Sequence, residues 1–187
     1  MKEELFEPLF RKMRVNRILP WIPKNATLCD IGCGFDAQFL KMISPSIKRG
    51  YGFDRKVNSK LQGNLTIQSY DLNNPLPLPD NSVDCVTLLA VLEHLSNPIT
   101  VFAEIRRICR SNGRIILTTP TPLSKPILEF LSFRMGLVSS QEISDHKHYW
   151  SLEEIRNLLK QFDFHVVELN TFSIGLNSFA VAEKVTE

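Results

Sequence analysis

Short apolar runs alternate along this chain with stretches whose apolar residues recur every three or four positions. Thr27-Leu28-Cys29-Asp30-Ile31 is the first such run and leads into Gly32-Cys33-Gly34. Gly50 to Asp54, Leu65 to Tyr70, Val83 to Leu89 and Arg114 to Thr119 follow, and each reads as a strand. Val83 to Leu89 is nearly continuous in apolar residues, as a central parallel strand covered on both faces should be. Between the runs the spacing becomes helical. Phe39, Leu40 and Ile43 mark a core face over Asp36 to Ile43. Val101, Phe102, Ile105 and Ile108 mark another, opened by Asn97 as N-cap with Pro98 behind it and stopped by Asn112-Gly113. Arg106, Arg107 and Arg110 then fall where the helix dipole favours cations. Ser151-Leu152-Glu153-Glu154 is a capping box opening a helix with Ile155, Leu158, Leu159 and Phe162 inward.

The ends of the chain extend the pattern. Leu9 to Leu19 predicts a helix with Leu9, Phe10, Met13 and Ile18 on one face and Arg11, Lys12, Arg14 and Arg17 solvated, ended by Pro20 and Pro23. Leu72 to Asn81 is too rich in proline and asparagine for regular structure. Pro120 to Trp150 is less regular, with an apolar piece around Ile127 to Leu137. Phe164 to Asn170 and Ser178 to Lys184 are strands with no helix between them, so they should pair antiparallel. The whole predicts one α/β domain over residues 1–187, a doubly wound, mostly parallel, Rossmann-like sheet. Residues 1–24 form an N-terminal helical segment and 121–150 a variable region on the substrate side.

Composition supports an ordinary globular domain. With 187 residues, 43% hydrophobic and 22% charged, the chain can bury a full core without disulfides or metals. A net charge of +2 gives no argument for nucleic acid or an anionic membrane as partner. Cys29, Cys33, Cys85 and Cys109 lie in apolar segments without CxxC pairs or a histidine at ligand spacing. They read as buried free thiols of a reducing compartment, and no metal site is expected. There is no run of about 18 apolar residues, and early acids follow Met1 where a signal peptide would be basic and apolar. The expectation is a cytoplasmic protein with no transmembrane segment; its oligomeric state is not set by the sequence.

The candidate chemistry gathers at the carboxyl ends of successive strands, where open α/β sheets bind their ligands. Gly32 and Gly34 allow a tight turn and a close backbone approach to a ligand, and the amides opening the next helix are unpaired. Asp54 lies about 20 residues beyond the turn, the separation at which an acid accepts ribose hydroxyls. Asp71 follows the next strand, placed to accept from the exocyclic amine of a base. Gly32-x-Gly34-x-x-Ala37 also fits a dinucleotide fingerprint. Against that, Asp30 is a poor neighbour for a pyrophosphate and a good one for a cationic ligand, and there is little room for a separate substrate domain.

Leu28-Cys29-Asp30-Ile31-Gly32-Cys33-Gly34 resembles motif I of the class I S-adenosylmethionine-dependent methyltransferases. Gly50 to Asp54 resembles their second motif. Leu76 to Val86 with Val91-Leu92-Glu93-His94-Leu95, and Asn112 to Leu117, are similar to the segments around their fourth and fifth strands. His146-Lys147-His148-Tyr149-Trp150-Ser151 is similar to the tail of small-molecule members related to the ubiquinone and menaquinone methyltransferases. The resemblance implies seven strands in the order 3-2-1-4-5-7-6 with strand 7 antiparallel. It implies S-adenosylmethionine as cofactor and S-adenosylhomocysteine as product. Gly32 and Gly34 would pass under the methionine portion, Asp54 would take the ribose, Asp71 and the Leu72 backbone the adenine, and the backbone at Leu89-Ala90 the methionine amino group. Asp36 departs from the family by standing where a third glycine is usual, and is expected to turn away and cap the next helix.

Methyl transfer from a sulfonium needs alignment and exclusion of water more than a catalytic constellation. For a hydroxyl acceptor a base helps, and His94 and His146 are the candidates, with His148, Glu93 and Tyr149 behind them. The chain lacks the Asn/Asp-Pro-Pro-aromatic signature of base methylation, an evident acid set for magnesium and a basic RNA-binding extension. A small organic acceptor methylated at oxygen or carbon is the remaining class, and Pro126 to Phe133 is a candidate lid over it. A non-catalytic binding or regulatory protein on the same fold is the alternative.

Overall fold

A computed structural model describes residues 7–133 and 144–186. In chain order its elements are α1 (Glu7–Ile18), β1 (Thr27–Ile31), α2 (Gln38–Ile43), β2 (Arg49–Asp54), β3 (Lys60–Gln62), β4 (Leu65–Ser69) and β5 (Val83–Leu89). After these come α3 (Pro98–Ile108), β6 (Cys109–Pro120), α4 (Ser124–Phe133), α5 (Leu152–Gln161), β7 (Phe164–Phe172) and β8 (Asn177–Lys184). All the strands join one sheet in the order β3-β4-β2-β1-β5-β6-β8-β7. The pairs β4-β2, β2-β1, β1-β5 and β5-β6 are parallel, and β8 runs antiparallel to both β6 and β7. Seven of these strands follow the expected order. The eighth is β3, a three-residue antiparallel edge on β4. Lys60-Leu61-Gln62 is too short to show alternation, and with Leu61 81% exposed it has no buried face to announce it.

Alternate residues of the central strands feed two separate cores, the consequence of a period of two under helices on both faces. On one face α3 and α5 bury Phe102, Ile105, Ile155 and Leu159 against Val86, Ile115 and Leu117. On the other, α1 and α2 bury Ile18, Phe39 and Leu40 against Leu28, Cys85 and Ile116. The buried face of α1 differs from the expected one: Val15 and Ile18 are inside while Met13 is 37% exposed. Met13 and Ile18 are five positions apart and so point in different directions, whereas Val15 and Ile18 share a face; the side chains of Leu9 and Phe10 lie outside the described residues. Asn97 caps α3 as expected, accepting from the Thr100 N–H at 3.3 Å, and the Ser151–Glu154 capping box is present in full.

The end of α3 also departs from expectation. The helix stops at Ile108, ahead of Asn112-Gly113, and the chain loops out between Cys109, which pairs with Val83, and Arg114, which pairs with Cys85. Arg110 is therefore outside the helix, donating to Asp84 at 2.6 Å. Arg107 does more than answer the helix dipole. It donates to the carbonyl oxygens of Leu76 (2.9 Å) and Leu78 (2.7 Å), to Asp80 (2.7 Å) and to Glu104 (2.7 Å). Glu104 in turn accepts from the Leu76 N–H. This pins the irregular loop to α3 with Leu76 and Leu78 buried beneath it. Arg107→Ala should lower the unfolding free energy by about 2 kcal/mol in urea denaturation, since it strips charge-assisted partners from several groups at once. Arg107→Lys should recover only part of that loss, because an ammonium cannot reproduce the planar fork.

Candidate functional site

The turn after β1 is built by two glycines and held by the end of β2. Gly32 and Gly34 both have φ of +72°. The N–H groups of Gly32 and Cys33 donate to the Phe53 carbonyl at 2.8 and 3.2 Å, and the Gly34 N–H donates to Asp54 Oδ2 at 3.0 Å. The two glycines are required for different reasons. A Cβ on Gly32 would stand 2.3 Å from Val91 Cγ2, while one on Gly34 would meet nothing within 4 Å. Position 32 is closed by packing, and position 34 borders open space.

Asp54 is oriented from both sides, since its Oδ1 accepts from the Lys56 N–H at 2.7 Å. Asp71 follows β4, the strand beside β2, and its Oδ1 accepts from Arg55 at 2.6 Å and from the backbone and side-chain nitrogens of Asn73. The Asn73 amide first, and Arg55 second, hold its carboxyl below the usual range. Leu72 beside it is half-buried and packs on the core. Ala90, just past β5, has φ of +57° and donates its N–H to the Thr118 carbonyl at 2.9 Å. Asp30 is only 2% exposed and accepts from Thr87 Oγ1, its neighbour across β1 and β5, at 2.6 Å. Burial pushes its carboxyl up to about 7, with Asp54 adding to the rise and the Thr87 hydroxyl opposing it.

Asp36 does not cap α2. The cap position belongs to Ala37, left-handed at φ of 48° and with no side-chain oxygen to offer, while Asp36 faces Lys41 at 4.0 Å. Closure of the turn by the Ala37 N–H on the Gly34 carbonyl (3.2 Å) shifts the cap by one residue.

A second group of side chains lies beyond β5. A short 3-10 turn, Leu92–His94, buries Glu93 to 1% exposure, with its Oε2 accepting from Thr119 Oγ1 at 2.9 Å. Burial pushes the Glu93 carboxyl up. The Glu93 carbonyl accepts from the N–H groups of Lys147 (2.7 Å) and His148 (3.4 Å), which ties the 144–150 segment to this turn. His94 and His146 consequently meet edge to face with ring centroids 4.8 Å apart. His94 Nδ1 is 3.3 Å from the Asp145 carbonyl oxygen, and His146 Nδ1 is hydrogen-bonded to the Tyr149 hydroxyl at 2.9 Å. Burial, helped by His94, pushes His146 down to about 4. His148 points elsewhere, to Glu154 at 2.8 Å and to the Trp150 ring. The structure thus unites His94, His146, Glu93 and Tyr149 and leaves His148 out. Thr119 was not foreseen; its place at the carboxyl end of β6 was the available signal. The candidate lid falls on α4, where Ile127 is exposed; side chains beyond Leu128, and residues 134–137, lie outside the described residues.

An acid-held glycine turn and two further acids thus lie along the carboxyl edge of a doubly wound α/β sheet. Residues 1–169 match the family model described as a methyltransferase domain, and the chain belongs to that family. It is 34% identical over 101 residues to a 37.1 kDa protein of a Streptomyces fradiae transposon, covering 49% of this chain and 29% of that protein. It is 26% identical over 105 residues to the ubiquinone/menaquinone biosynthesis C-methyltransferase UbiE of Saccharophagus degradans, covering 52% of this chain and 42% of that enzyme. The chain thus spans less than half the length of these relatives. Among solved structures, a chain from the complex of a methyltransferase activator with a methyltransferase of Haloferax volcanii superposes with a TM-score of 0.72. It is 16% identical, and the match covers 95% of this chain and 89% of that one. The YcgJ protein of Bacillus subtilis gives 0.69 at 14% identity, covering 94% and 100%. These structures share the fold. Among the described residues no helix is long and apolar enough to cross a membrane.

Proposed function

We propose that this chain catalyses S-adenosylmethionine-dependent methyl transfer to a small organic acceptor, at oxygen or carbon. The observation that carries this reading is the bond from the Gly34 amide to Asp54, which joins the glycine turn and the acid of the next strand into one preformed nucleoside site. Membership of the methyltransferase domain family supports it. The residues fit the cofactor. Each Asp54 oxygen takes one amide and keeps lone-pair capacity for a ribose hydroxyl. Asp71 and the Leu72 backbone stand one strand further out for the adenine edge. The open space at Gly34 admits the methionine portion, with the Ala90 backbone and buried Asp30 suited to its ammonium. When bound, the cofactor supplies a methyl group already activated on a sulfonium. The protein's part is to hold the acceptor in line with it and keep water out. His94 and His146 would stand on the acceptor side. For a hydroxyl acceptor a ring nitrogen of one of them would take its proton, His94 being the better candidate because burial pushes His146 down to about 4. Asp36, which stands where the family usually has a third glycine, lies 4.0 Å from Lys41. Four free buried cysteines suit a reducing, cytoplasmic setting.

Calorimetry with S-adenosylhomocysteine tests this directly. Binding of one molecule per chain is expected, with release of a proton at about pH 6, read from the dependence of the observed enthalpy on buffer ionisation enthalpy. In the free protein Asp30 titrates at about 7 and is mostly protonated at that pH. A ligand ammonium beside it favours the carboxylate, so the complex holds fewer protons and affinity rises as pH climbs toward 7 and levels off above it. Asp30→Asn should abolish the release. No binding by well-folded protein would sink the enzyme reading, and binding without proton release would reject the role of Asp30.

A further inference from the structure

We propose that Glu93, His94 and His146 bind one divalent transition-metal ion of the zinc kind on the acceptor side of the sheet. One donor atom from each residue lies within 4.8 Å of the other two, so small rotamer changes would bring all three to an ion about 2.0–2.2 Å away. Two imidazoles and one carboxylate suit zinc and its borderline neighbours, not calcium or magnesium, which favour oxygen. Each donor already has the outer support that orients metal ligands. A carbonyl oxygen only accepts, so the Asp145 carbonyl fixes the proton of His94 on Nδ1 and leaves the Nε2 lone pair for an ion. The Tyr149 hydroxyl, able to donate or accept, can take the Nδ1–H of His146 when Nε2 ligates, and the Thr119 hydroxyl holds Glu93 Oε2, leaving Oε1 to ligate. The backbone bonds from Lys147 and His148 to Glu93 fix the two halves of the cluster relative to each other. An ion would also neutralise a carboxylate whose burial otherwise carries a cost.

Three protein ligands leave coordination positions open, as in catalytic zinc sites. The inference rests on reading this edge as the acceptor site. With the ion bound, an acceptor hydroxyl would coordinate and ionise, its proton passing to solvent, and the two histidines would serve as ligands rather than bases. The four cysteines do not compete for the ion: all are buried, and burial pushes each thiol up.

The test is titration of the metal-free full chain with cobalt(II), followed by visible absorption and competition with zinc. One ion per chain is expected, with ligand-field bands of nitrogen and oxygen donors and no thiolate charge-transfer band. His94→Gln and His146→Gln should each weaken cobalt binding by at least about 100-fold, more than loss of an outer-shell support such as Thr119→Val. His146 is half-buried on a surface segment, so its variant keeps the test valid should substitutions at Glu93 prevent folding. His148→Gln should leave the affinity unchanged, because His148 is committed to Glu154. Absence of stoichiometric binding, a thiolate band, unchanged affinity in His146→Gln or a loss in His148→Gln would each overturn the site. S-adenosylhomocysteine calorimetry on the same proteins reads the methyltransferase assignment separately, since the cofactor contacts do not involve these histidines.

Discussion

Asp54→Ala should weaken S-adenosylhomocysteine binding by at least about 100-fold, measured by calorimetry. Two hydrogen bonds from ribose hydroxyls to a carboxylate are lost, each worth about 1.5–3 kcal/mol, and about 3 kcal/mol in all already exceeds a hundredfold. The effect should be larger than those contacts alone, because Asp54 also fixes the Gly34 and Lys56 amides and so shapes the surface the ligand meets. Asp54→Asn distinguishes the two contributions. It keeps the shape but sets an NH2 group against one of the two backbone donors, so its loss should fall between wild type and alanine. An alanine variant that binds within about threefold of wild type would reject the ribose role.

Gly32→Ala should cost about 2–5 kcal/mol of stability in urea denaturation. Left-handed backbone at a non-glycine residue costs of order 1–2 kcal/mol. A Cβ placed 2.3 Å from Val91 Cγ2 and 3.0 Å from Cγ1 adds about 1–3 kcal/mol of overpacking. The double variant Gly32→Ala, Val91→Ala should recover part of the second contribution. Gly34→Ala makes the informative contrast: it has the same φ of +72° but open surroundings. It should therefore lose only the backbone contribution in stability while losing ligand affinity, its methyl group standing in the ligand's space. Equal stability of Gly32→Ala and wild type would contradict this geometry of the turn.

Much of the fold was legible because buried parallel strands need continuous apolar runs, and Val83–Leu89 appears with the bounds its sequence suggested. The Asn97 cap and the Ser151–Glu154 box were readable because each is local chemistry within four residues. What stayed hidden depends on neighbours. The edge strand β3 exists through pairing with β4, and the Arg110–Gly113 loop-out arises where β6 must stay in register with β5. Asp36 looked like a cap because its side chain suits one, but the left-handed Ala37 took the position. In the site, Gly32, Gly34 and Asp54 were marked by spacing, and the Gly34–Asp54 bond joins them. The association of Glu93 with Thr119 and of His94 with His146 was not, since the partners come from elements remote in sequence and meet only when the 144–150 segment folds over the turn after β5.

The attachment of that segment bears on which of its residues can vary. Lys147 and His148 reach the Glu93 carbonyl through main-chain amides, not through their side chains. Any residue with an N–H can make those bonds, and proline alone is barred. The side chain at position 147 can therefore change without loosening this attachment. These two main-chain bonds are indifferent to side-chain identity, whereas the His148–Glu154 pair and Trp150 packed on the core hold the far end of the segment through its side chains.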